Sequence, residues 1–115
     1  MDHSISPEKV ERVYQALRRW AESTGYYLNP DRGFTLGLVE GLLINRERYG
    51  YQACPCRLAT GDREKDRDII CPCDYRDADI EEWGTCYCGL YVSKEVAEGI
   101  HQIRSIPERR PPEKR

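Results

Sequence analysis

No cysteine occurs before residue 54 or after residue 88. The chain also lacks a basic excess: 18 Lys and Arg face 20 Asp and Glu, for a formal charge of -2. It therefore does not carry the electrostatic footprint of a protein whose main partner is a phosphate backbone, and nucleic acid is set aside. The opening stretch, MDHSISPEKVERVY, has neither the apolar core of a secretory signal nor the Arg-rich, acid-poor character of an organelle transit peptide. The expectation is a cytoplasmic chain. No run approaches the roughly 18 consecutive apolar residues of a membrane span, so no membrane is expected either. Histidine is nearly absent, with His3 and His101 alone, and both read as surface residues.

What remains is a chain of 115 residues with 39% hydrophobic and 33% charged residues. That is enough for one domain spanning 1–115, but its apolar core is lean, and a centre with covalent ligands would supply cross-links that packing does not. Ser6, Pro7 and Glu8 form a helix-start signal of N-cap, first-turn proline and dipole-favoured acid. Val10, Val13, Tyr14, Leu17, Trp20 and Ala21 then recur at helical spacing, with Gly25 as the stop. Asn29-Pro30-Asp31 repeats the start signal for a second helix that carries Phe34, Leu38, Leu42 and Asn45 and ends at Gly50. Gly33, Gly37 and Gly41 lie four apart on it, where missing side chains let another backbone approach. The charged run GDREKDRD reads as solvated surface, and Ile69 and Ile70 as a return to the interior. Leu90, Tyr91 and Val92 read as a short extended piece. Ser93 caps a last helix with Val96, Ile100 and Ile103 on its apolar face, which Pro107 ends. The tail, 107–115, is expected to be mobile or to lie across the surface.

All six cysteines lie in three Cys-x-Cys pairs: Cys54-Pro55-Cys56, Cys71-Pro72-Cys73 and Cys86-Tyr87-Cys88. Core packing does not explain that concentration, because a free cysteine behaves as a small scattered hydrophobe. In a reducing compartment such a set points to metal binding or redox catalysis before a disulfide framework. Structural zinc pairs usually have two to four residues between cysteines and need four ligands, so this spacing fits zinc poorly and leaves two thiols over. An iron-sulfur cluster also takes four thiolates but can pass electrons, and the remaining two cysteines then become a redox pair.

The sequence Cys54-Pro55-Cys56-Arg57, followed by Cys71-Pro72-Cys73 and Cys86-x-Cys88, resembles the catalytic chain of ferredoxin:thioredoxin reductase. Asn45-Arg46-x-Arg48-Tyr49-Gly50-Tyr51 looks like that family too, and the resemblance runs from Asn29-Pro30 to about Tyr91. It implies a mainly α, small single domain of several short helices wrapped around a 4Fe-4S cluster. Cys54, Cys71, Cys73 and Cys86 would bind the cluster, and Cys56 and Cys88 would form the active disulfide. The implied activity is ferredoxin-dependent reduction of a disulfide on thioredoxin or a related protein. One-electron transfers from ferredoxin would add up to a two-electron reduction, with Cys56 as nucleophile and Cys88 resolving the mixed disulfide. A ferredoxin near about -400 mV facing a thioredoxin near about -270 mV supplies roughly 6 kcal/mol. Plant and cyanobacterial members pair with a noncatalytic subunit, which leaves room for such a partner here.

Two features depart from the family. Tyr87 stands where the third pair usually has His, and a phenol, with its ordinary pKa of ~10, is a poor acid-base group at neutral pH. The loop between the second and third pairs is also longer, which alters the expected docking surface for the disulfide partner. Two rival readings use the same cysteines: a metal-stabilised binding module without disulfide turnover, and a simple one-electron carrier.

Overall fold

The computed structural model describes residues 5–115; His3 lies outside them, and His101 is exposed. Helix α1 (Pro7–Ser23) starts where the capping signal places it, with the Ser6 hydroxyl accepting from the Lys9 backbone N–H. Val10, Tyr14 and Ala21 are buried, with Val13 and Leu17 packed beside them. Trp20 departs from the expected stripe: it is 42% exposed, and its ring meets Tyr91 edge-on instead of entering the core. Helix α2 (Arg32–Tyr49) is capped by the Asp31 carboxylate and stopped by Gly50 in the left-handed conformation. It buries Leu38, Val39, Leu42 and Leu43, whereas Phe34 is exposed. Of the three spaced glycines only Gly41 serves a close approach, because a Cβ there would lie 3.1 Å from the Pro55 ring.

Strands β1 (Tyr27–Leu28) and β2 (Tyr91–Val92) pair antiparallel, Tyr27 with Val92 and Leu28 with Tyr91. Only β2 was expected; β1 is a two-residue strand between two helix signals, too short for any periodicity. The acidic stretch after the second cysteine pair forms helix α3 (Arg76–Trp83), closed by Gly84. Helix α4 spans only Lys94–Ala97. Gly99, at φ 80°, turns the chain there: the Ile100 N–H donates to the Glu95 carbonyl at 2.8 Å, and a left-handed glycine closes a helix in this way. Ile100 and Ile103 are consequently exposed, and Ile106 is buried in their place.

The run GDREKDRD is not simply solvated. Asp66 is fully buried, and its carboxylate accepts from the Tyr51 hydroxyl, the Thr60 hydroxyl and backbone, and the Gly61 backbone. Asp68, also buried, accepts from Tyr75 and Arg110. A buried carboxylate is tolerated when its lone pairs are filled, and these two convert a charged loop into an anchor. The tail lies across the surface, tied by the Arg110–Asp68 pair at 2.8 Å. Mainly α is the observed class, and no helix among the described residues is long and apolar enough to cross a membrane.

Burial raises the pKa of Asp66, but its donors from Tyr51, Thr60 and Gly61 outweigh that, and the net shift is downward. The folded protein therefore binds this proton less readily than the unfolded chain. The corresponding stability is complete above the ordinary carboxylate value of 3.8 and is lost as pH falls through the lower folded value. Urea unfolding as a function of pH should show that acid loss. Asp66→Asn should lower stability at neutral pH by about 2 kcal/mol, since its amide N–H2 faces donors. A variant that unfolds at the wild-type urea concentration would show that Asp66 anchors nothing.

Candidate functional site

Backbone hydrogen bonds bring the three cysteine pairs together. The Cys54 N–H donates to the Ile69 carbonyl and the Cys71 N–H to the Gln52 carbonyl, both at 2.8 Å. A two-residue bridge between Ala53 and Ile70 thus lays the first pair beside the second. The Asn45 side chain on α2 donates to the Ala53 carbonyl, fixing this loop to the helix. The third pair occupies a tight turn in which the Cys86 N–H donates to the Tyr91 carbonyl and the Gly89 N–H to the Cys86 carbonyl. Asn29, beyond being part of a helix-start signal, holds that turn from outside: its backbone donates to Leu90 and its buried side chain to the Gly89 carbonyl.

Cys54, Cys71, Cys73 and Cys86 border one small hollow together with Cys88. Cys54, Cys86 and Cys88 are buried, Cys71 and Cys73 half-buried, and Cys56 alone is exposed. All six are free thiols. The Cys88 sulfur lies 3.8 Å from that of Cys86 and also interacts with the thiols of Cys54 and Cys56. Cys56 opens instead onto a second, outward-facing hollow beside Leu58, which is 93% exposed. The six predicted residues are therefore all in one place, but five face inward and one outward.

The thiols differ in acidity for identifiable reasons. Hydrogen bonding to Cys54, Cys56 and Cys86, together with burial, raises Cys88 and keeps its proton on. Donation from Cys88 lowers Cys86 to about 6 and Cys54 to about 7, against the opposing effect of burial. Burial, followed by the charges of Cys86, Cys54 and Cys73, pushes Cys71 up. Two of the crowded sulfurs are thus shifted toward the thiolate and two toward the thiol. Among the described residues no three Cys, His, Asp or Glu side chains are arranged to hold a metal ion; the sulfurs border a hollow into which two arginines project.

One of these is Arg57. Its side chain is 3% exposed and meets Glu108 of the tail through two hydrogen bonds, of 2.8 and 2.7 Å. Its remaining nitrogen donates to the Cys73 sulfur at 3.5 Å. The guanidinium also lies 4.6 Å from the centroid of Tyr87 and 5.4 Å from that of Tyr75, so Tyr87 holds a cation on its ring face. Arg76 is the other, enclosed by Trp20, Tyr26 and Tyr91 at 5.6, 4.6 and 4.9 Å. Its Nη1 is buried without a hydrogen-bond partner, and so is the Tyr91 hydroxyl. Both residues line the hollow. Two orphaned donors and five thiols suit an anionic, sulfur-bound group. Glu108, Arg76 and Tyr91 escaped the sequence reading because an acid in a tail, an arginine after a loop and a tyrosine in a strand carry no local signal.

The family model "Ferredoxin thioredoxin reductase catalytic beta chain" matches residues 4–109. The ferredoxin-thioredoxin reductase catalytic chain of Pyropia yezoensis is 28% identical over 104 residues, covering 84% of each chain. The chloroplastic catalytic chain of Spinacia oleracea is 24% identical over 110 residues, covering 88% of this chain and 72% of its own. That of Porphyra purpurea is 28% identical over 93 residues, or 76% and 73%.

Breaking a buried ion pair strands the remaining charge. Glu108→Ala should therefore cost about 3 kcal/mol in chemical unfolding, with Glu108→Gln losing less, and should free the tail to proteases near Arg104. A Glu108→Ala protein with wild-type stability and an uncut tail would show that the pair holds nothing down.

Proposed function

This chain belongs to the ferredoxin thioredoxin reductase catalytic beta chain family, and from that premise we propose that it reduces a disulfide on a thioredoxin-like protein with electrons from ferredoxin. Cys54, Cys71, Cys73 and Cys86 would hold a 4Fe-4S cluster, and Cys56 and Cys88 would carry the exchange. When bound, the cluster supplies one-electron steps between ferredoxin and the two-electron chemistry of the thiols.

The observation that carries this reading is the opposite exposure of two neighbouring cysteines. Cys56 stands at the surface, while Cys88 is buried within reach of its thiol. A macromolecular disulfide can reach only the first. Donation from Cys88 lowers the pKa of Cys56, against burial and the charges of Cys54 and Cys86 and with help from the Arg57 guanidinium, and the thiolate is the attacking species.

In the exchange, the Cys56 thiolate attacks one sulfur of the partner disulfide, and the other sulfur leaves as a thiolate. A mixed disulfide now joins Cys56 to the partner. Cys88, once deprotonated, attacks the Cys56 sulfur and expels the partner's second thiolate. The partner has gained two electrons and Cys56 and Cys88 have lost two, which two turnovers of ferredoxin restore. Leu58 offers an apolar contact beside the attack point. Tyr87, held by Arg57, fixes the turn that carries Cys88 and is given no proton-transfer role. A cytoplasmic setting and a noncatalytic partner subunit complete the proposal.

Anaerobically purified protein should be brown and contain about four irons per chain, with two cysteines that resist alkylation until reduced. Zinc with six freely alkylated thiols would overturn the reading. A thioredoxin variant lacking its resolving cysteine should be trapped on Cys56, and Cys56→Ser should abolish the adduct. Capture on Cys88 would reverse the two roles.

A further inference from the structure

The hollow among the thiols contains more than sulfur. Arg76, at the first turn of α3, reaches it through a cage of Trp20 from α1, Tyr26 ahead of β1 and Tyr91 from β2. The Arg76 Nε is committed, donating to Asp77 at 3.1 Å, and Asp77 also accepts from the Tyr26 hydroxyl at 2.9 Å. The Arg76 Nη1 has no partner, although it is buried. Tyr91 is 1% exposed. Its hydroxyl faces the Cys71 sulfur closely enough to interact with it both by charge and by a weak hydrogen-bonding approach, but no hydrogen bond of full geometry is completed.

Buried donors are almost always satisfied, because an unpaired one forfeits its hydration for nothing. Here two are unsatisfied at the wall of the same hollow, which five thiols also line. Packing alone would favour phenylalanine over Tyr91 and an aliphatic residue over Arg76. A water can accept from both donors but leaves the guanidinium charge uncompensated, whereas two donors, one of them cationic, match an acceptor that is both anionic and multiply accepting. Sulfur atoms of a thiolate-bound cluster have that character, and hydrogen bonds to them set the potential of such centres.

We infer that Arg76 and Tyr91 are cofactor-contacting residues which donate hydrogen bonds to sulfur atoms of the bound cluster, with the Trp20–Tyr26–Tyr91 cage holding the guanidinium in place. The inference rests on the cluster assignment proposed above. Donors and a nearby cation stabilise the more negative, reduced state of the group and so raise its reduction potential. Neither residue is a ligand, so iron content is expected to survive their replacement while the potential moves.

Tyr91→Phe is the discriminating variant, since it deletes one unpartnered oxygen and keeps the ring that cages Arg76. In metal-free protein its Tm should equal or exceed that of the wild type, because an orphaned hydroxyl is removed. In iron-loaded protein its Tm should fall below the wild type's and its midpoint potential should shift downward. A hydrogen–deuterium-exchangeable proton coupled to the cluster's paramagnetic state should also vanish from the electron–nuclear double resonance spectrum. Arg76→Lys, which keeps the charge but not Nη1, should lower the potential at equal iron content. Iron-loaded variants with the wild-type potential and exchangeable couplings would overturn this inference alone. Wild-type protein that binds no iron and sulfide would overturn the cluster assignment, and this inference with it.

Discussion

A single buried cation, the guanidinium of Arg57, imposes order on the cysteine region. Full burial of a charge is costly unless its donors are met, and the four residues around it come from three separate stretches of the chain. Cys73 takes one hydrogen bond, Glu108 takes two, and the rings of Tyr75 and Tyr87 cover the faces. Because Arg57 follows Cys56 directly, the same side chain ties the first pair to the second through Cys73 and to the third through Tyr87. The tail is drawn in because its Glu108 supplies the carboxylate. Arg110 then repeats the device one layer out, pairing with Asp68, which also receives the Tyr75 hydroxyl.

The second arginine is built on a different principle. Arg76 is enclosed by three rings and only one flanking carboxylate, so its charge is held by polarisable surfaces and part of its donor capacity is left over. The contrast between a satisfied Arg57 and an unsatisfied Arg76 gives the hollow two sides. One side is a closed ion-pair network that fixes loops, and the other presents donors. Trp20 belongs to this second side, which explains why an aromatic residue in a helical stripe is left partly exposed.

The same Cys-x-Cys spacing leaves one sulfur at the surface in the first pair and buries both in the third. In the first pair the chain passes the hollow at Cys54 and leaves it at Cys56. In the third the turn closed by Gly89, at φ 82°, returns both cysteines to the interior. Asn29 holds that turn shut, linking a helix start to the turn that carries Cys88. The proposed exchange rests on that asymmetry, an exposed Cys56 beside a buried Cys88.

The sequence by itself determined the starts and stops of α1 and α2, because caps and glycine stops act within a few residues, and it determined which six residues meet, because the rival readings of three Cys-x-Cys pairs all draw on the same clustered cysteines. Tertiary structure decided what surrounds them. Asp66 and Asp68 sit in a run that reads as solvent-exposed and become buried anchors only because Tyr51, Thr60, Tyr75 and Arg110 bring donors from elsewhere. Ile100 and Ile103 look like a helical face until Gly99 turns the chain away. Glu108, Arg76 and Tyr91 carry no local sign of their place at the site, since Glu108 meets Arg57, and Arg76 and Tyr91 meet Trp20, across tens of residues, and a long-range contact leaves no period in the chain. Local signals are written along the backbone, but the satisfaction of a buried charge is a property of whatever the fold places against it.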